Sequence, residues 1–222
     1  MTIAQREDAL FAQWQERRPY LVQDGLVDEE AYLASSPRVV LVLKDVNDEG
    51  STGRWDLRSV LRTETRWQTW NTVTRWMRGL RALDRDLPWA EVRPKPTPEQ
   101  RLAAIRSIGV VNLKKEPGAA ASKWEEVQRF AREDADLFQE QLALYQPDLI
   151  ICGGVGGLVR EALGCPDWQH TSRGLGHTAT PDGCPVFDYY HPQARFPQAM
   201  LYYTLIDGVR SVLGKTEQTR TP

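Results

Sequence analysis

Four short runs of apolar and β-branched residues, separated by stretches with helical spacing, constrain the fold of this 222-residue chain most. The runs are VVLVL (39–43), IGVVNL (108–113), PDLIICGG (147–154) and VFDYY (186–190). Each run is nearly continuous in apolar residues, which is typical of a strand buried on both faces of a parallel sheet. Strands that alternate with helices place helices on both sides of such a sheet. We therefore predict an α/β fold with three layers, α/β/α, around a four-stranded, mainly parallel central sheet.

The length and composition fit one globular domain. A chain of 222 residues is long enough for one substantial core. Apolar residues make up 41% and charged residues 26%, as in ordinary globular proteins. We predict a single domain over residues 1–214, a flexible tail over residues 215–222, and a monomer.

Four patterns that are absent from the sequence narrow the classes of protein to which the chain can belong. No apolar run approaches the length that crosses a bilayer, and the first 21 residues mix both charge signs in an amphipathic pattern rather than forming a secretory signal. The three cysteines are scattered without CxxC spacing, which predicts free thiols, and the three histidines lack the spacing of helical metal ligands. We expect a cytoplasmic protein of bacterial origin that needs no metal and no cofactor.

The segments that follow the four runs carry the polar residues of interest. Ligands of parallel sheets bind at the carboxyl ends of the strands. Those ends carry KDVND, NLKK, CGGVGG and YYHPQAR. Composition alone is equally compatible with ordinary polar loops, but the position of these segments predicts a functional site at this edge.

The order of the four segments resembles the uracil-DNA glycosylase superfamily over residues 37–200. In that family a first strand ends in an acidic or Asn-bearing motif, a later strand ends in a base-reading Asn, and the last strand delivers a His-Pro motif before a loop that enters DNA. LVLKDVND, VVNLKK, PDLIICGG and HPQAR stand at the corresponding places. The chain departs from the family at Lys44 and Val46, where the usual motif has Gly and often Pro. The resemblance implies a DNA glycosylase, which flips a base and hydrolyses its N-glycosidic bond to leave an abasic site, with DNA as its partner.

The resemblance assigns two catalytic roles. Cleavage of an N-glycosidic bond builds positive charge on the sugar and negative charge on the departing base, so a carboxylate near the sugar and a donor near the base both favour the transition state. Asp45 takes the place of the carboxylate, which holds or activates water, and Asp48 and Glu49 are alternatives to it. His191 takes the place of the donor to the leaving base. The competing interpretations are a carboxylate at a strand end and an imidazole bonded to the backbone of a turn.

The base-reading residues implied by the resemblance are Asn112, Asn47 and Trp55. The Asn112 amide has a donor and an acceptor that can pair with the edge of a flipped base. Whether it selects uracil or cytosine depends on the orientation of the amide. The competing interpretation is an Asn whose side chain holds a loop in place. Asn47 stands where the uracil-specific branch has a tyrosine that blocks substituents at C5. Trp55, after the polar segment DEGSTGR, is available for stacking. We therefore hypothesise a C5-modified pyrimidine as substrate, such as glucosylated hydroxymethylcytosine in phage DNA, and a role in antiphage defence.

Basic residues near these motifs are candidates for phosphate contacts. Lys114 and Lys115 follow the second run directly, Arg173 lies in HTSRGLGHT, and Arg195 lies where the His-Pro motif leads into the loop that enters DNA. The tryptophans of RWQTWNTVTRW recur at helical spacing, which favours a core role over stacking on DNA.

Three other functions are compatible with the sequence. A uracil repair glycosylase shares the same motifs, and a non-catalytic DNA-binding module fits the departures at Lys44 and Val46. A nucleotide-binding α/β enzyme is the third, because CGGVGGLVREALG follows a strand and opens a helix, where backbone amides cradle phosphate. This segment lacks the G-x-G-x-x-G order and the lysine of a P-loop.

Overall fold

The computed structural model describes residues 1–46, 55–63, 65, 68–118 and 123–218, the last four for the backbone only. The helices are α1 (Ile3–Arg17), α2 (Glu29–Leu33), α3 (Leu57–Leu61), α4 (Gln68–Leu80), α5 (Trp89–Val92), α6 (Pro98–Arg106), α7 (Trp124–Glu133), α8 (Ala135–Tyr145), α9 (Gly156–Ala162) and α10 (Gln198–Gln218). The strands are β1 (Val22–Gln23), β2 (Gly25–Leu26), β3 (Val39–Leu43), β4 (Trp55–Asp56), β5 (Ile108–Asn112), β6 (Leu149–Gly153), β7 (Gln169–His170), β8 (Gly176–Ala179) and β9 (Pro185–Tyr189).

The central sheet has seven strands in the order β2-β5-β3-β6-β9-β8-β7. Strands β5, β3, β6 and β9 pair in parallel, and they are the four strands predicted from sequence. Strands β2, β8 and β7 add antiparallel pairs at the two edges. The α/β class is therefore confirmed, whereas the prediction of a four-stranded sheet is wrong, because short edge strands without apolar runs make the sheet mixed and wider.

Each face of the sheet contributes to a separate apolar cluster. On β3, Val39, Leu41 and Leu43 belong to one cluster, and Val40 and Val42 to the other, as the alternation of side chains along a strand requires. The first cluster includes residues of α4 and α10, and the second includes residues of α1, α7, α8 and α9. Helices thus cover both faces.

The helices follow recognisable signals in the sequence. Thr97 and Gln100 form a reciprocal capping box at the start of α6. In α4, Trp70 and Trp76 are buried, which confirms their predicted core role, while Trp67 lies outside the described residues. No helix in the described part of the chain is long and apolar enough to cross a membrane.

Two predicted helix boundaries differ in the structure. The sequence from Ser122 to Tyr145 predicts one long helix, with Ser122 and Glu125 as a capping box. The structure instead has two helices, α7 and α8, which meet at Asp134. The buried Asp134 carboxylate accepts two hydrogen bonds from Arg18, so tertiary contacts stabilise this break. Ser122, the predicted N-cap of that helix, lies outside the described residues. Helix α10 continues to Gln218 and so includes part of the predicted flexible tail.

Candidate functional site

A cavity of about 590 Å³ lies at the carboxyl edge of the parallel strands. Its volume falls within the range of small-molecule sites in proteins. Three residues predicted from three strand ends, Asp45, Asn112 and His191, all line this cavity. The other described residues that line it are Leu43, Lys44, Val46, Leu57, Thr69, Trp70, Val110, Gly153, Gly154 and Gln193.

The register of the sheet explains this convergence. Leu43 is paired with Asn112, so β3 and β5 end at the same level. Gly153, the last residue of β6, is closely packed, since a Cβ there would lie 2.7 Å from Leu43 Cδ2 and 3.3 Å from Pro192 Cδ. Gly154 has φ of 78°, a left-handed conformation that glycine adopts without strain, and its N–H donates to the Tyr189 carbonyl. Gly153 and Gly154, at the end of β6, therefore allow the segment after β9 to approach the cavity.

His191 presents one defined face to the cavity. Its Nδ1 accepts a hydrogen bond of 3.1 Å from the backbone N–H of Gln193. Burial lowers the pKa of His191 below its ordinary value, Lys44 lowers it further, and Asp45 opposes the shift. The ring is therefore neutral at neutral pH, and its proton is on Nε2.

Asp45 is enclosed although it follows the strand end. Its side chain is only 4% exposed, and Lys44 Nζ lies 3.7 Å from its Oδ1. A carboxylate in this position and the Nε2–H of His191 give the cavity one group that favours positive charge and one that favours negative charge. The alternative acids Asp48 and Glu49 lie outside the described residues.

Asn112 is buried and held by a second carboxylate, Asp24. Asp24 Oδ2 accepts hydrogen bonds from the backbone N–H of Asn112, at 2.7 Å, and from its Nδ2, at 3.1 Å. Asp24 Oδ1 accepts from Lys115 Nζ at 2.7 Å and from Gln141 Nε2 at 3.0 Å. Sequence reasoning missed Asp24 and Gln141, because neither belongs to a motif and both are distant from Asn112 along the chain.

The predicted phosphate contacts of Lys114 and Lys115 are incompatible with their positions. Lys115 is fully buried, and its ammonium lies 4.7 Å from the centroid of the Trp14 ring. Burial lowers the pKa of Lys115, and Asp24 opposes this shift. The Lys114 side chain is 5% exposed, and its Nζ contacts Glu126 at 3.1 Å. Both ammonium groups make their contacts inside the protein, so Lys114 and Lys115 are no longer candidates for DNA binding.

The two other predicted base-reading residues have different outcomes. Asn47 lies outside the described residues. Trp55 lies in β4, which pairs with β1, and is not among the described residues that line the cavity. The indole in the cavity wall is that of Trp70, which the sequence analysis assigned only to the core.

Exposed residues in the segment around His191 and in the turn between β7 and β8 fit contact with a large partner. Arg195 is exposed in the segment after His191. The side chain of Arg173 is 69% exposed, with a 3.6 Å approach to Asp207. Tyr190 and Phe196 are 46% and 44% exposed, with ring centroids 4.7 Å apart. This aromatic pair was missed, although YYHPQARF contains both of its members.

The start of α9 is occupied by a carboxylate. The backbone N–H of Gly156 is hydrogen bonded to Asp188, and a Cβ at Gly156 would clash with Asp188 Oδ1. An acidic side chain at this position repels phosphate, which argues against the nucleotide-binding alternative. Among the described residues, no group of three or more His, Cys, Asp or Glu is placed to hold a metal ion.

No protein-family model matches the chain, and no curated protein is significantly similar to it in sequence.

Proposed function

We propose that the protein is a DNA glycosylase that flips a pyrimidine out of the duplex and hydrolyses its N-glycosidic bond. One observation carries the proposal: Asp45, Asn112 and His191, which belong to separate strand ends, line the same cavity of about 590 Å³. A carboxylate, an amide and a neutral imidazole are the three groups that this reaction needs.

In the proposed reaction, Asp45 holds the attacking water and stabilises the positive charge that develops on the sugar. The Nε2–H of His191 donates to an oxygen of the departing base, where negative charge develops. Asn112 forms hydrogen bonds with the edge of the flipped base. Trp70 and Leu57 supply apolar surface to the cavity.

Exposed arginines and an exposed aromatic pair support the DNA-binding part of the proposal. Arg195 and Arg173 are exposed and available for phosphate contacts. The pair Tyr190 and Phe196 offers an apolar wedge for the gap left by the flipped base, because proteins that distort DNA commonly insert such side chains between base steps.

The substrate that we propose is a C5-substituted pyrimidine, such as glucosylated hydroxymethylcytosine in phage DNA, with antiphage defence as the biological role. Asn47 and the segment 48–54, which suggest an open C5 side, lie outside the described residues. A cavity of about 590 Å³ lies in the range of pockets that hold drug-sized ligands, which are larger than one pyrimidine ring. This volume supports a substituted base.

The test is base release from defined DNA. Purified protein is incubated with duplexes containing uracil and, separately, with phage DNA carrying hydroxymethylated or glucosylated cytosine, and alkali-labile abasic sites are scored. We expect breaks in the modified DNA that are lost in D45N. The matched control is D136N, which removes an exposed carboxylate paired with Arg17 and should retain cleavage.

Two other outcomes of this test would each favour an alternative function. Breaks only at uracil would indicate a repair glycosylase. DNA binding without breaks in any substrate would favour the non-catalytic module and would contradict the proposed reaction.

A further inference from the structure

The geometry points to Asp24 as the residue that fixes the order of donor and acceptor which Asn112 presents to the base. Asp24 is a positioning residue, since it acts through Asn112 and is not among the described residues that line the cavity. The inference deepens the proposed function and rests on it, because it concerns how the same cavity selects its pyrimidine.

The contacts of Asp24 identify which hydrogen of the amide is engaged. Asp24 Oδ2 lies 2.7 Å from the backbone N of Asn112 and 3.1 Å from its Nδ2. An oxygen that reaches both nitrogens lies on the main-chain side of the amide, so it accepts the Nδ2 hydrogen that points away from Oδ1. The second Nδ2 hydrogen and Oδ1 then point in parallel, which is the edge that forms bidentate pairs with bases.

Turning this amide over is costly. The turned amide would bring Oδ1 of Asn112 against the Asp24 carboxylate, leaving two acceptors facing each other where the two residues are only 2% and 1% exposed. Asp24 is itself anchored, since its Oδ1 accepts from Lys115 and Gln141. The buried Lys115 ammonium lies 2.7 Å from Asp24 Oδ1 and forms an ion pair with it.

The order of the strands shows which way the side-chain amide of Asn112 is oriented. Gly25 pairs with Val110, which places Asp24 on the outer side of β5, next to β2. Strand β3 lies on the opposite side of β5, and β6 and β9 follow it. Nδ2 of Asn112 is therefore turned towards β2, and its Oδ1 towards the side from which Asp45 and His191 enter the cavity.

A locked amide separates two classes of pyrimidine. A 4-oxopyrimidine offers an N3–H donor beside an acceptor at C4, whereas a 4-aminopyrimidine offers an acceptor at N3 beside a donor at C4. The two classes therefore need opposite orders of Oδ1 and N–H on Asn112. A bidentate pair of this kind discriminates by about 10-fold or more against the wrong base.

The experiment compares duplexes with hydroxymethyluracil and hydroxymethylcytosine, which share the C5 substituent and differ at N3 and C4. Single-turnover cleavage is measured, together with equilibrium binding to 2′-fluoro versions of both substrates, in which the electron-withdrawing fluorine suppresses cleavage. D24A/K115M removes the acceptor at position 24 and also the buried ammonium. The matched control D24N/K115Q removes the same charges but keeps an oxygen that accepts from Asn112.

We expect the wild type to prefer one substrate by about 10-fold or more, D24A/K115M to lose most of this preference, and D24N/K115Q to keep it. If the wild type cleaves neither substrate but the binding assay shows this pattern of preference in the three proteins, the proposed reaction is refuted and the role of Asp24 is supported. A preference that survives in folded D24A/K115M, or a wild type without preference in either assay, would overturn the inference.

A second measurement covers the case in which D24A/K115M does not fold. In the wild type, one Asn112 Nδ2 proton should exchange slowly with solvent, and the signal should be assigned by its loss in N112S. Rapid exchange of both Nδ2 protons would show that Asp24 does not hold the amide.

Discussion

The backbone N–H of Gln193 donates a hydrogen bond of 3.1 Å to Nδ1 of His191. The ring nitrogen that accepts this bond carries no proton, so the neutral imidazole is protonated on Nε2. This bond fixes both the tautomer and the face that His191 presents, and it makes the proposed role of the ring testable by pH.

H191A should lower the single-turnover rate of base release, because the departing base would lose its hydrogen-bond donor. Removing one such donor from an enzyme typically costs about 10²–10³-fold in rate. The measurement is a time course at saturating enzyme with the modified duplex. An unchanged rate in this variant would exclude His191 from the reaction.

K44M should raise the pKa of His191. Burial lowers this pKa from 6.5 and Lys44 lowers it further, so loss of the ammonium removes part of the shift. Protonation places a proton on Nδ1 and breaks the hydrogen bond from Gln193 N–H that orients the ring, so activity should fall as pH drops through this pKa. The acidic limb of the rate profile should therefore lie at higher pH in K44M than in the wild type.

An NMR titration of the His191 Cε1 proton would measure this shift in the pKa of His191 directly. K95M, which removes an exposed lysine, is the matched control and should leave the titration unchanged. A lower pKa for His191 in K44M would contradict the expected sign.

K115M should destabilise the protein by about 3–5 kcal/mol, because it leaves the Asp24 carboxylate buried without its ammonium partner. The double variant D24A/K115M should lose less than the sum of the two single variants. Urea unfolding of the wild type, both single variants and the double variant gives the coupling. Additive losses would mean that the two groups do not interact.

F196A should weaken base release from duplex DNA more than from single-stranded DNA, because only the duplex has a gap to fill after the base is flipped. Phe196 is 44% exposed, so the fold should tolerate the change. L33A, which truncates another exposed apolar side chain, is the control. An equal loss on both substrates would count against a wedge.

The sequence predicted the parts of the fold that have local signals. Strands β3, β5, β6 and β9 are continuous apolar runs, and their parallel order places Asp45, Asn112 and His191 at one edge. Strands β2, β7 and β8 have two to four residues and little apolar character, so tertiary pairing alone defines them.

The roles of the lysines required tertiary information. A lysine after a strand is usually exposed, and Lys115 is buried only because Asp24 and Gln141 come from distant segments to satisfy its ammonium. Trp70 likewise lines the cavity while packing in the core, a combination that helical spacing does not reveal.

The hydrogen-bonded chain behind Asn112 extends to the first helix. Gln141 donates to Tyr145 at 2.8 Å, and Tyr145 donates to Glu7, which is 138 positions away in sequence. Contacts of such long sequence separation form only when most of the domain is assembled. The Asn112 amide is therefore coupled to the folding of the whole domain rather than to that of a local loop, and its opening should share the cooperativity of global unfolding.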